Sequence, residues 1–170
     1  MNNIKLKIYK EIERLSTPNK SKKEKHGEVF TAIKLVEEML SKFDSYVPEV
    51  WKNQNLKWLD PCVGCGQFYF VTFFKLWDGL ETVIPDELDR FEWIISKQLY
   101  AIELDQENYD KFNQVLGYLR ELFYQMINKT NKKIQHKIKR RLTKDTNRET
   151  QEIIRQLSSQ SPFKYPEIAP

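Results

Sequence analysis

The stretch Leu56-Lys57-Trp58-Leu59-Asp60-Pro61-Cys62-Val63-Gly64-Cys65-Gly66 decides the fold, because a short apolar run ends in an acid and two closely spaced glycines follow it. A dense apolar segment, residues 68–77, comes directly afterwards. We interpret this order as a strand, a tight loop and a buried helix. Such glycines adopt positive φ and let a ligand approach the backbone, while the helix N-terminus offers unpaired N–H groups. The stretch predicts a nucleotide-cofactor site, with an ordinary strand-to-helix turn as the alternative.

A second short strand is predicted over residues 99–104, and it carries Glu103 close to its end. An acid at the tip of the next parallel strand is where a ribose diol is held by two O–H···O⁻ hydrogen bonds. We therefore expect Glu103 and Gly64 to face one crevice. The separation between Gly66 and Glu103 exceeds the roughly 20 residues that separate the glycines from the acid in a dinucleotide fingerprint. Residues 78–97 are therefore predicted to be an additional segment between the first helix and the second strand.

The remaining pattern is helical. Apolar spacing predicts helices over residues 4–15 and 91–97, and a third on which Ile33, Val36, Leu40 and Phe43 recur at helical spacing, with Thr31 as its N-cap. Asp105 is predicted to cap a further helix that begins at Gln106 and runs to about residue 141. Three aromatic residues precede the basic run, namely Tyr118, Phe123 and Tyr124. They could stack on exposed bases, but their helical spacing favours core or partner-facing positions.

Length and composition limit the class of protein. A chain of 170 residues fits one domain, and 40% hydrophobic residues exclude a wholly disordered chain. Two cysteines exclude a disulfide-stapled scaffold, and a net charge of +4 does not by itself require a nucleic-acid partner. Neither a signal peptide nor a membrane span is recognisable, so a cytoplasmic location without a membrane partner is expected.

Basic residues gather near both ends of the chain. Four lysines lie within residues 20–25, and the late cluster includes Lys137, Lys139, Arg140 and Arg141. Because neutralising phosphates releases counterions whatever the base sequence, the late cluster is predicted to contact nucleic acid. A solvated helix face or a disordered tail is the alternative for such a charge run.

Three segments resemble one known family, the N6-adenine DNA methyltransferases that accompany restriction systems. Residues 26–31, His-Gly-Glu-Val-Phe-Thr, resemble motif X, although Ala32 stands where proline is usual. Residues 60–68, Asp-Pro-Cys-Val-Gly-Cys-Gly-Gln-Phe, resemble motif I, typically DPACGSGNF. Residues 100–105, Tyr-Ala-Ile-Glu-Leu-Asp, resemble motif II. The segments follow the family's order, and the resemblance spans residues 25–112.

The resemblance implies S-adenosylmethionine as the cofactor and methylation of adenine in DNA as the activity. Glu103 takes the ribose role, and Leu104 or Asp105 lines the adenine ring. The remaining implied cofactor residues adjoin the methionine part, and they are Phe30, Thr31, Asp60, Pro61, Gly64 and Gly66. The implied fold is α/β, a Rossmann-like class I methyltransferase fold with helical N- and C-terminal segments. The chain is predicted to divide into three parts. Residues 1–25 form a helix with a basic loop, residues 26–125 form the cofactor domain, and residues 126–170 form a basic extension that is helical or partly disordered.

The family's catalytic motif IV, an Asn/Asp/Ser-Pro-Pro-Tyr/Phe loop, does not occur in the sequence. In that chemistry the Asn or Asp side chain of the motif and a backbone carbonyl accept hydrogen bonds from the adenine amino group, while the aromatic ring of the motif stacks on the flipped base. The catalytic residue is therefore unknown. Because only two strands are predicted, the fold is expected to be incomplete, with the missing motif in a second chain or a missing C-terminal region.

Other functions remain open at this point. The pair Cys62 and Cys65 has the CxxC spacing of thiol–disulfide enzymes, in which a helix N-terminus lowers the thiol pKa. A zinc site is disfavoured because only His26 and His136 could join the cysteines, and neither has the required spacing. A non-enzymatic DNA-binding remnant or partner subunit is the main alternative.

Overall fold

The computed structural model describes residues 1–17, 29–47 and 49–130. Its helices are α1 (Asn2–Leu15), α2 (Ile33–Tyr46), α3 (Gln67–Gly79), α4 (Glu87–Trp93) and α5 (Gln106–Thr130). Its strands are β1 (Trp58–Asp60) and β2 (Leu99–Ala101), with a 3-10 turn at Val50–Lys52 and a π-helical turn at Ile94–Gln98. The described part is mostly helical, with a small parallel sheet.

The sheet has two parallel strands, and Leu59 on β1 lies opposite Tyr100 on β2. Parallel strands need a long crossover, and α3, α4 and the π-helical turn supply it. The amide of Ile102 donates to the carbonyl of Asp60 at 2.9 Å, so the ladder continues one residue past β2. The predicted parallel pair is present, with strands shorter than predicted.

The core surrounds α3. Phe70, Phe73 and Leu76 are fully buried, as expected of a helix that is apolar on every face. On the α5 side, the ring of Phe123 stacks on that of Phe91, with centroids 4.0 Å apart. Ile8 of α1 is also fully buried, and α1 packs against both α5 and α3. The helices thus form one core, and the interpretation of Phe123 as a core residue is confirmed.

Two local predictions were wrong. Thr31 does not cap α2, because Ala32 occupies the N-cap position and no side-chain hydrogen bond caps this helix. The predicted helix over residues 91–97 is divided, because α4 ends at Trp93 and the backbone continues as the π-helical turn into β2. Asp105 does cap α5, since its Oδ1 accepts from the amide of Asn108 at 3.0 Å.

Several predictions lie outside the described residues. They concern the early lysines, residues 26–28 of the motif X segment, and the cluster Lys137, Lys139, Arg140 and Arg141. Within the described ranges, no helix combines the length and apolar character needed to cross a membrane.

Candidate functional site

The loop between β1 and α3 has the backbone that its glycines predict. Gly64 has φ +55° and Gly66 has φ +95°, both in the left-handed region. The amide of Gly66 donates to the carbonyl of Val63 at 2.8 Å, and the amide of Val63 donates to the carbonyl of Ile102 at 3.0 Å. The loop is therefore closed on itself and held to the end of β2.

The Glu103 carboxylate connects this loop to the start of α5. Its Oε2 accepts from the amide of Gly64 at 2.8 Å, and its Oε1 accepts from the amides of Leu104 and Asp105 at 2.9 Å each. Hydrogen bonds to an ionised acceptor are about twice as strong as neutral ones. The expectation that Glu103 and Gly64 share one crevice is confirmed by this direct contact.

The segment before α2 also reaches the Gly64 loop, through the side chain of Phe30. A Cβ built on Gly64 would lie 3.3 Å from Cε1 of Phe30, so the ring lies directly beside this glycine. Phe30 and Thr31 line a pocket of about 260 Å³ together with Gly64 and Glu103. Residues from all three motif-like segments therefore surround one cavity.

The other predicted site residues lie beside this pocket rather than on its lining. Asp60 and Pro61 line a neighbouring apolar pocket at the sheet. Gly66 is a packing position, because a Cβ there would lie 2.4 Å from the ring of Phe70. The Asp105 side chain is engaged as the α5 cap, whereas Leu104 is 83% exposed. Of the two candidates for lining an adenine ring, Leu104 has the accessible side chain.

The lining also contains residues that were not predicted to bind the cofactor, namely Val29, Cys62, Val63, Gln67, Phe68 and Asn108. Nε2 of the buried Gln67 donates to Oγ of Ser16 at 2.7 Å, which links the start of α3 to the end of α1. Gln67 and Phe68 fall within the motif I segment, so their position there was the available signal. Asn108 lies in α5 and no motif marks it.

Burial raises the pKa of the Asp60 carboxyl. The hydrogen bond from the Cys62 amide to Oδ1 at 3.2 Å opposes this shift, and the negative charge of Glu103 adds to it. Two carboxylates therefore lie near each other at the carboxyl ends of the strands. Such a site suits a ligand that offers hydroxyl or ammonium donors.

Asp60→Asn is expected to stabilise the folded chain at pH 7 and to have little effect near pH 3. The raised pKa means that folding favours the protonated carboxyl, so wild-type stability falls as pH rises from the ordinary pKa of aspartate through the raised one. Asparagine keeps an acceptor for the Cys62 amide without the charge. Urea unfolding at several pH values measures the difference, with Asp110→Asn on exposed α5 surface as the control. Parallel pH profiles for Asp60→Asn and wild type would refute the assignment.

Both cysteines are free thiols in different surroundings. Cys62 is exposed, whereas Cys65 is buried with its Sγ 3.7 Å from the carbonyl of Leu15. In the described ranges, no group of three or more His, Cys, Asp or Glu side chains is arranged to hold a metal ion.

Comparison with known proteins gives one informative match. The chain is 39% identical over 79 residues to a protein of Mycoplasma pneumoniae (strain ATCC 29342 / M129 / Subtype 1) described as "Uncharacterized adenine-specific methylase". The match covers 46% of this chain and 19% of that protein, so it spans about a fifth of the relative's length. No family model and no solved structure matches the chain. The partial match supports a methyltransferase family.

Proposed function

We propose that this chain is the S-adenosylmethionine-binding portion of an adenine-specific DNA methyltransferase with a Rossmann-like class I fold. The observation that carries the proposal is the hydrogen bond from the Gly64 amide to the Glu103 carboxylate at 2.8 Å. It joins the two strand-end segments that resemble the family's cofactor motifs, and Phe30 of the third segment lies beside Gly64. The partial match to an adenine-specific methylase supports the same family.

The residues around the pocket fit the cofactor's chemistry. Backbone amides take up three of the roughly four acceptor sites of the Glu103 carboxylate, so its Oε2 can still accept from one ribose hydroxyl. The exposed Leu104 offers an apolar surface for the adenine ring. Phe30, Thr31 and Gly64, which line the pocket, are proposed to hold the methionine part, and the neighbouring Asp60 its charged end, as the family resemblance implies. The bound cofactor supplies an electrophilic methyl group on a sulfonium. The role of the chain is to bind and orient that group.

The group that activates the target adenine is proposed to come from outside the cofactor site. Motif IV is missing from the sequence, so a second chain or a further region supplies it. DNA is the proposed substrate, and Lys137, Lys139, Arg140 and Arg141 are proposed to contact its phosphates.

Titration calorimetry with S-adenosylmethionine and S-adenosylhomocysteine tests the proposal. We expect saturable one-to-one binding of both ligands by the full chain. The variant Gly117→Ala should bind both ligands as the wild type does, because a Cβ at Gly117 meets no atom within 4 Å and this glycine does not line the pocket. Circular dichroism establishes that each sample is folded. A folded chain that binds neither ligand would contradict the proposal.

DNA binding is tested separately by its salt dependence. Phosphate contacts by several basic side chains should reduce the affinity for DNA steeply as salt is added, with a slope of about −0.9 per phosphate neutralised on a double-logarithmic plot. Replacing Lys137, Lys139, Arg140 and Arg141 by serine should flatten that slope. A folded chain that binds DNA but neither cofactor form would favour the non-enzymatic DNA-binding alternative.

A further inference from the structure

The side-chain amide of Gln67 has a fixed orientation, because Ser16 at the end of α1 determines which of its two ends can approach. The Ser16 hydroxyl donates its proton to the carbonyl of Ile12 at 2.6 Å, so its oxygen can only accept from Gln67. The Gln67 atom 2.7 Å from Oγ of Ser16 is therefore the nitrogen, Nε2. Oε1 of Gln67 consequently points away from Ser16.

Oε1 of Gln67 lies on the pocket side of its side chain, next to the Gly64 loop. A Cβ built on Gly64 would lie 3.9 Å from this oxygen, and both residues line the same pocket as Glu103. Gln67 is only 6% exposed, and within the described residues the bond to Ser16 is the one hydrogen bond of its side chain. A buried carbonyl oxygen without a donor costs free energy. This oxygen is therefore an acceptor for a donor that enters the pocket.

The other residues of the pocket favour a donor that carries positive charge. In the described part of the chain, no Lys, Arg or His side chain lines this pocket, whereas the Glu103 carboxylate does. Phe30 and Phe68 supply apolar wall around it. A hydrogen bond from an ionised donor is about twice as strong as a neutral one, and apolar surroundings strengthen it further. An ammonium group is the donor that fits this combination.

We propose that Oε1 of Gln67 accepts a hydrogen bond from the α-ammonium of the cofactor's methionine part, and that Ser16 is the positioning residue that keeps Oε1 turned towards it. The inference rests on the proposed function, which places the methionine part beside Gly64. It extends the cofactor site to the end of α1, which lies before the segments that resemble the family's motifs. Helix α1 thereby contributes to ligand selectivity as well as to the core.

The test compares two ligands that differ in one group. S-adenosylhomocysteine carries the α-ammonium, and its deaminated analogue has hydrogen in that place. In calorimetric titration, the full wild-type chain should bind S-adenosylhomocysteine at least about tenfold more tightly than the analogue, because a hydrogen bond to a charged group contributes that much. Equal affinities of the wild type for the two ligands would overturn the proposal.

Gln67→Met keeps the length of the side chain and removes the acceptor. It should weaken S-adenosylhomocysteine binding about tenfold and leave the affinity for the analogue within about twofold of the wild type, so the preference between the ligands falls. Ser16→Ala should reduce the same preference about threefold, because the amide of Gln67 is then free to rotate. Ser41→Ala is the matched control, since the Ser41 hydroxyl also donates to a carbonyl of its own helix, at 2.7 Å, on exposed surface. It should change neither affinity.

The comparison of ligands separates this inference from the proposed function. A wild type that binds S-adenosylhomocysteine, with losses in Gln67→Met that are equal for both ligands, would overturn the inference alone and make Gln67 a structural residue. An unchanged preference in Ser16→Ala would overturn the positioning role of Ser16. A folded wild type that binds neither ligand would contradict the proposed function and this inference together. Circular dichroism establishes that each variant is folded, and if Gln67→Met is not, the wild type and Ser16→Ala still decide.

Discussion

Gly66→Ala is expected to lower the free energy of unfolding by about 2–5 kcal/mol. Gly66 has φ +95°, a backbone region that costs a residue with a Cβ, and that Cβ would lie 2.4 Å from the ring of Phe70 and 3.1 Å from that of Phe112. Phe70 is fully buried in the first turn of α3, and its ring packs against those of Tyr69 and Phe112, so it can move aside only by displacing them. Urea unfolding followed by tryptophan fluorescence measures the loss.

The control is Gly117→Ala in α5. Gly117 is helical and a Cβ there meets nothing within 4 Å, so alanine should stabilise the chain by about 0.5–1 kcal/mol through helix propensity. The two substitutions add the same methyl group and should change stability in opposite directions. Equal effects of the same sign would show that the left-handed turn at Gly66 is wrongly described.

Glu103→Ala is expected to weaken S-adenosylhomocysteine binding by about 1–3 kcal/mol, or roughly five- to 150-fold. The substitution removes the proposed ribose acceptor and also releases the amides of Gly64, Leu104 and Asp105. Some loss of folding stability should accompany it, because amides that were paired lose their acceptor. Calorimetric titration on samples shown to be folded gives the affinity.

Glu103→Gln distinguishes ribose binding from loop positioning. The glutamine carbonyl oxygen can still accept from the amides of Leu104 and Asp105, but the NH₂ group cannot accept from the amide of Gly64. The variant should therefore keep most of the folding stability of the wild type but bind S-adenosylhomocysteine more weakly. Glu13→Ala removes the same charge from exposed α1 surface and should change neither quantity. Unchanged affinity in folded Glu103→Ala would remove this residue from the site.

The local elements could be predicted where one periodicity dominates. The spacing of Ile4, Ile8 and Ile12 gives α1 its buried face, and the unbroken apolar run after Gly66 gives the central α3. The glycine pattern predicted positive φ because only glycine adopts it without cost. Thr31 was mispredicted as a cap because propensity identifies a suitable residue, whereas the N-cap position depends on where the chain turns into α2.

The site was predictable in outline, because motif order placed Phe30, Gly64 and Glu103 in one family pattern. Its details depend on contacts distant in sequence. The Ser16 hydroxyl binding Gln67, 51 residues away, has no local signal. Likewise, the stacking of Trp51 on Trp58 at 4.8 Å depends on how a 3-10 turn returns the chain beneath β1. The spacing of Phe43 on α2 did not distinguish it from the buried Ile33, Val36 and Leu40, although its side chain is 40% exposed, because apolar spacing does not show which surfaces meet.

The three hydrogen bonds that backbone amides donate to the Glu103 carboxylate also affect how the pocket would bind a ligand. They hold the Gly64 loop against the start of α5 before any ligand arrives. A receptor that is already ordered loses little conformational entropy when it is occupied, so more of the contact energy remains as affinity. The pocket is in this sense preorganised, and occupancy should change the exchange rates of the loop amides much less than it would in a loop that folds around its ligand.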